Sequence, residues 1–168
     1  AMRRFSTNRR VVVATACLAI PGALHAQAYQ CSVPQDIAVP QVLPDGPARS
    51  APIAGYTLAL SWSPEYCRGR ESSKADRMQY SGRNGRFGLV LHGLWPEGKG
   101  ANWPQWCATP LAPTPEAIRR NLCLTPSPNL LAHEWAKHGS CMAKTPDGYF
   151  RASRVLYQSL RLPDLDAL

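Results

Sequence analysis

At 168 residues, about 140 of them left once a leader is removed, the chain suits one domain with a hydrophobic core, and no internal repeat or second domain can be read from it. The formal charge of +8 is half targeting: without Arg3, Arg4, Arg9 and Arg10, the 19 basic side chains fall to 15 against 11 acids, a balance of +4. So modest an excess is also common on proteins that need only solubility, and charge alone does not argue for a polyanionic partner.

Met2-Arg3-Arg4 and Arg9-Arg10 precede an apolar run over residues 11–24 and the small residues Ala26-Gln27-Ala28, the order of regions in a secretory signal peptide. The run is shorter than the roughly 20 apolar residues of a transmembrane helix, and Pro21-Gly22 breaks it. Arg9-Arg10-Val11-Val12-Val13 also fits a twin-arginine signal, and either route leads out of the cytoplasm. Residues 1–28 are therefore expected to be a signal peptide, and the protein to be secreted or periplasmic with no membrane association afterwards. Residues 29–54 carry Pro34, Pro40, Pro44, Pro47 and Pro52 without helical or strand period, which predicts an extended, mobile leader.

Order is expected to start at Gly55, opening a domain over 55–168. Tyr56, Leu58, Leu60 and Trp62 alternate with Thr57, Ala59 and Ser61, the two-residue period of a strand that Ser63-Pro64 ends. Residues 68–86, with Arg68, Arg70, Lys74, Arg77, Arg83 and Arg86, read as a solvated surface loop. A second strand follows over residues 87–92 with His92 at its end, after which Gly93-Leu94-Trp95-Pro96 is expected to turn the chain into a long loop rich in Pro and Trp. Thr114-Pro115, Ser127-Pro128 and Thr145-Pro146 each place a hydroxyl cap before a first-turn proline, predicting three helices. The second runs over residues 128–138 and stops at Gly139. The third turns Tyr149, Ser153, Leu156 and Leu160 toward the core, with Phe150 and Tyr157 alongside.

Beyond the leader the cysteines are Cys31, Cys67, Cys107, Cys123 and Cys141. In an exported chain they read as disulfides with one cysteine left over, and the absence of any C-x-x-C pair argues against structural zinc.

The chemistry sits in two clusters, Leu91-His92-Gly93-Leu94-Trp95-Pro96 and His133-Glu134-Trp135-Ala136-Lys137-His138-Gly139-Ser140-Cys141. On a helix turning about 100° per residue, positions 133, 134, 137 and 138 fall within about 140° of arc and share one face. The plain alternative is a solvated surface on which Glu134 and Lys137 form an i, i+3 pair. Four ionisable groups on one short helix, beside a Trp and just before a cysteine, outweigh it. A zincin site needs histidines four residues apart, whereas His133 and His138 are five apart and diverge. Two imidazoles, a carboxylate and an ammonium without metal match cleavage of RNA by its own 2′-hydroxyl. That reaction needs a base, an acid and positive charge against a phosphorane. Histidine can serve in either protonation state.

The two clusters resemble the active-site signatures of the ribonuclease T(2) family, with looser similarity from Tyr56-Thr57-Leu58-Ala59-Leu60-Ser61-Trp62 to Tyr149-Phe150, closest to its bacterial exported members. The resemblance implies an α+β fold: a small antiparallel sheet with helices packed on it, disulfide-stabilised, and His92 faced by the helix bearing His133 to His138. It implies His92 as general acid, His138 as general base, His133 as phosphate binder, and Glu134 and Lys137 as groups that polarise the phosphate and stabilise the phosphorane. Trp95 and Glu97 would form a base site, with core packing an equal reading for Trp95. Trp62 and Trp135 are expected to pack, while Trp103 and Trp106 flank prolines in a loop, with the lining of an RNA groove as the lesser reading of these tryptophans. Cys141 would pair upstream, with Cys107 the candidate and Cys123 the competitor.

The implied function is a metal-independent endoribonuclease, without cofactor, that cuts single-stranded RNA through a 2′,3′-cyclic phosphate with little base preference. Members of the family run on past the third helix with further strands, so a C-terminal part is expected to be missing here. The alternative is an exported RNA-binding or interaction protein, catalytically impaired by that truncation.

Overall fold

A computed structural model describes residues 28–162, so the expected signal peptide lies outside the described residues except for Ala28, and residues 163–168 also lie outside. The architecture is α+β, as expected. Strand β1 (Ala28–Tyr29) pairs antiparallel with β3 (Arg86–Phe87), and β2 (Gly55–Trp62) pairs antiparallel with β4 (Leu89–Glu97). Between β2 and β3 lie α1 (Ser63–Cys67) and α2 (Arg77–Tyr80). After β4 come α3 (Pro115–Arg119), α4 (Pro128–Lys137), a 3-10 turn (Gly139–Cys141) and α5 (Pro146–Ser159).

All three proline-headed helices form, each capped as its sequence requires. The hydroxyl of Thr114 accepts from the Ala117 amide, that of Ser127 from Leu130, and that of Thr145 from Gly148. Each bond satisfies an amide that the helix leaves without an intrahelical acceptor. The apolar faces of α3, α4 and α5 meet the inner face of β4 in one core built on Val90, Leu94, Ile118, Leu122, Trp135 and Tyr149. Trp135 is 2% exposed and its indole nitrogen donates to the Leu111 carbonyl at 2.9 Å, so packing does account for this tryptophan. The buried face of α5 is Pro146, Tyr149, Phe150, Ser153 and Tyr157, whereas Leu156 and Leu160 are exposed, against expectation. The 3.6-residue period that buries Tyr149 and Ser153 continues through Tyr157, which donates to the Leu89 carbonyl at 2.6 Å, and carries Leu156 and Leu160 aside.

Three further expectations are corrected. Residues 68–86 are not all loop, because α2 folds within them and buries Met78 and Gln79; four residues are too few for a periodic signal among basic flanks. Gly93-Leu94-Trp95-Pro96 does not turn the chain. The strand runs on through it, which places His92 inside β4 rather than at its end. Pro96 is tolerated on this outer stretch, where the β2 partner is nearing its own end at Gly55.

The leader, finally, lies against the fold. Cys31 is bonded to Cys123, and Val33, Ile37 and Val39 pack on the core. The Arg119 guanidinium donates to the Gln35 carbonyl, and Arg49 and Gln105 exchange both backbone hydrogen bonds at 2.8 and 2.9 Å. Its prolines exclude ladders of its own, yet it gains partners from elsewhere in the chain.

Candidate active site

The site begins at an irregularity in the sheet. Ala59 faces Gly93 and Leu60 faces Leu91, so His92 is an extra residue with no opposite number. Such a bulge re-aims side chains. Residues 92 and 95 of a regular strand would point to opposite faces; here the rings of His92 and Trp95 meet edge to face at 5.6 Å. The far edge of β4 is secured at the same level, where Leu91 accepts from the Thr125 hydroxyl at 2.7 Å and donates to the Leu124 carbonyl at 2.9 Å. From β2, Ser61 Oγ lies 2.9 Å from His92 Nδ1 and fixes the ring with Nε2 toward α4.

On α4, Glu134 is 3% exposed and joins the two clusters. Its Oε2 accepts from Trp95 Nε1 at 2.7 Å, and its Oε1 lies 3.4 Å from His92 Nε2. Gly93 makes the approach possible: a Cβ there would stand 1.9 Å from Glu134 Oε2. The Trp95 ring is also stacked on His138, with centroids 5.4 Å apart. His138 caps α4 and is buried, with Nδ1 lacking a hydrogen-bond partner. Burial pushes its imidazolium down to about 4, against the opposing pull of the Glu134 carboxylate, so the ring is neutral at ordinary pH.

Lys137 and His133 share a different carboxylate. Asp45 Oδ2, from the leader, lies 2.9 Å from Lys137 Nζ and 3.8 Å from His133 Nε2, while its Oδ1 accepts from Trp106 Nε1 at 3.1 Å. Lys137 therefore does not make the i, i+3 pair with Glu134. Hydrogen bonding to Lys137, above all, holds the Asp45 carboxyl below its usual range. Trp106 meets the His133 ring edge to face at 5.2 Å, and its amide donates to the Lys137 carbonyl at 2.8 Å. The next residue, Cys107, is bonded to Cys141, which selects Cys107 over Cys123 as the partner.

His92, His133, Glu134, Lys137 and His138, with Trp95 and Glu97, all line one cleft of about 410 Å³, so every residue expected at the site is brought together. Trp103 and Gln105 complete its wall. A second, more apolar hollow of about 360 Å³ opens on the other side of His92 and His133, between Tyr66, Gln79, Val90 and Leu130. Ser61 and Asp45 escaped sequence reasoning. The strand period would have put Ser61 beside the second strand, had the register been known; nothing in the leader marks Asp45. Among the described residues the free thiol is that of Cys67, lying beside Ser63 and raised by burial. Among the described residues no group of His, Cys, Asp or Glu is arranged to hold a metal ion.

An α+β domain that joins a bulged β-strand histidine to a helix carrying two more, through one buried glutamate, defines the class of site. Residues 54–165 match the model of the Ribonuclease T2 family, well over half of the chain, and the chain belongs to that family. It is 36% identical over 129 residues to a probable ribonuclease of Haemophilus influenzae, covering 71% of this chain and 47% of that protein. It is 38% identical over 108 residues to a ribonuclease of Aeromonas hydrophila, covering 64% and 46%. Among solved structures, an RNase-related protein from Calystegia sepium matches with a TM-score of 0.50 and 27% identity over 62% of this chain and 59% of that one. The chain spans about half the length of the curated relatives it matches.

Proposed function

We propose that the protein is an endoribonuclease that cleaves single-stranded RNA by transesterification, without a metal or other cofactor and with little base preference. The observation that carries this reading is the cleft in which His92 and a neutral His138 flank one side chain, Trp95, with Glu134 bound to both Trp95 and His92.

Neutral His138 takes the proton of the ribose 2′-hydroxyl. The 2′-oxygen attacks phosphorus, the bond from phosphorus to the 5′-oxygen breaks, and protonated His92 delivers its proton to that leaving oxygen. Glu134, 3.4 Å away, pairs with the imidazolium of His92 before transfer. Lys137 and His133 set positive charge and N–H donors against the phosphorane oxygens. The product is a 2′,3′-cyclic phosphate, and water opens it with the two histidines in exchanged roles. Hollows on both sides of His92 and His133 offer room for the bases flanking the scissile phosphate, and Trp95 presents an indole to one of them. Acid, base and charge are thus all supplied by side chains.

The test is cleavage of a fluorescent single-stranded RNA in excess chelator. The parent is expected to leave cyclic-phosphate ends, and His92→Ala and His138→Ala to lose at least a hundredfold. A folded parent that is silent, or one that chelator stops, overturns the reading. Residues 1–28 are proposed as the export signal, and fractionation of cells making the whole chain, with the product recovered outside the cytoplasm and shortened, is the expected outcome.

A further inference from the structure

Two basic side chains that line the cleft, Lys137 and His133, already face an anion. A single oxygen of Asp45 meets both Lys137 Nζ at 2.9 Å and His133 Nε2 at 3.8 Å, the way one oxygen of a phosphate would. Glu134, a neighbour on the same helix, is not available to Lys137, because both of its oxygens face Trp95 and His92. Nor does Asp45 arrive by chance. Gln105 donates to the Pro47 carbonyl at 2.8 Å and pairs with the backbone of Arg49, so the leader just after the carboxylate is bolted to the segment that carries Trp106. Yet the Asp45 side chain is 52% exposed, and ion pairs this open to water are weak enough for another anion to displace.

We infer that Asp45 is a resident counter-anion of the phosphate subsite: its carboxylate stands in the free protein where a phosphate oxygen of the substrate binds, and it sets how tightly the cleft holds anions. This rests on the reading of Lys137 and His133 as phosphate-binding groups. The carboxylate holds Lys137 and His133 in place until another anion displaces it, and it repels the anion that does so. A phosphomonoester, with up to two negative charges, is penalised more than an internal diester with one, so the device favours binding of chain over retention of a terminally phosphorylated product.

The probe is inorganic phosphate, titrated into the full chain while the histidine ring signals are followed by NMR. Asp45→Asn keeps the shape and an acceptor for Trp106; Asp45→Ala keeps neither. Removing one negative charge at contact distance is expected to tighten phosphate on the order of tenfold in both variants, whereas Lys137→Ala loses it. If Lys137→Ala loses phosphate but both Asp45 variants bind it equally or more weakly than the parent, Asp45 is only a strut and the inference is overturned while the phosphate subsite stands. If phosphate moves no histidine signal in the parent or in either Asp45 variant, the subsite itself is wrong and the inference falls with it.

Discussion

Glu134 reaches His92 and Trp95 only because position 93 has no side chain. A Cβ there would meet Glu134 Oε2 at 1.9 Å and its carboxyl carbon at 2.8 Å, so Gly93→Ala must push the carboxylate off both partners. Displacement of a catalytic group by about 1 Å can cost roughly a hundredfold. Gly93→Ala is therefore expected to lower kcat/KM by about that factor, with a smaller loss of melting temperature, measured on RNA and by calorimetry. Activity within a few-fold of the parent would show that Glu134 does not set the geometry. His138 makes a second prediction. Its proton affinity is lowered to about 4 in the folded protein from 6.5, so the unfolded chain binds the proton first as pH falls. Stability must then decline between pH 6.5 and 4, by up to about 3 kcal/mol, and this part is absent from His138→Gln. With that ring as the proposed base, the acid limb of kcat/KM falls near pH 4, and a limb near 6.5 would contradict the burial seen here. At this scale the sequence was informative about identity and poor about partners. Helical spacing alone gathers His133, Glu134, Lys137 and His138 on one face, but which carboxylate each cation meets depends on a bulge at His92 and a leader at Asp45 that no local pattern announces.

Among the elements, α4 bears most of the chemistry and is held at both ends. Ser127 caps its first turn, and beyond its last turn the Cys107–Cys141 disulfide closes a span of 34 residues. Between them, the Trp106 amide donates to the Lys137 carbonyl. Gly139 lets the chain leave the helix tightly, since a Cβ there would stand 2.6 Å from the Trp135 ring and 2.7 Å from that of Tyr149. Cross-linking a loop of this length restricts the unfolded chain by about 3–4 kcal/mol on the chain-entropy account. The Cys107→Ser/Cys141→Ser double variant is expected to lose stability of that size in urea. Because the backbone bond at Lys137 remains, activity well below its melting point is expected to fall less than tenfold. A greater loss would make the disulfide part of the site's alignment. The helices were legible because their caps and prolines are local signals. The length of β4 was not, because glycine and proline in its second half mimic a turn, and only pairing with β2 keeps them extended. α1 and α2 are too short for any period to declare them.

The whole molecule depends on contacts that cross most of its length. The leader supplies the Cys31–Cys123 bond across 92 residues, apolar contacts at Val33, Ile37 and Val39, and the Asp45 carboxylate that meets Lys137 and His133. Composition pointed the other way, since a proline-rich segment without period cannot form its own ladder and is fixed only by partners distant in sequence. If these contacts belong to the cooperative unit, a chain beginning at Gly55 must lose more than a cross-link. Cys31→Ser/Cys123→Ser removes the loop constraint alone, about 4–5 kcal/mol on the chain-entropy account. It should lower the denaturant midpoint without reducing m. Deletion to Gly55 also removes surface from burial, so it should lower the midpoint further and reduce m, because m follows the area exposed on unfolding. Urea titrations of the two variants beside a chain beginning at Ala28 separate the cases. Equal m values throughout would mean that the leader rests on a domain that folds without it, and that Asp45 reaches the cleft as an appendage rather than as part of the fold.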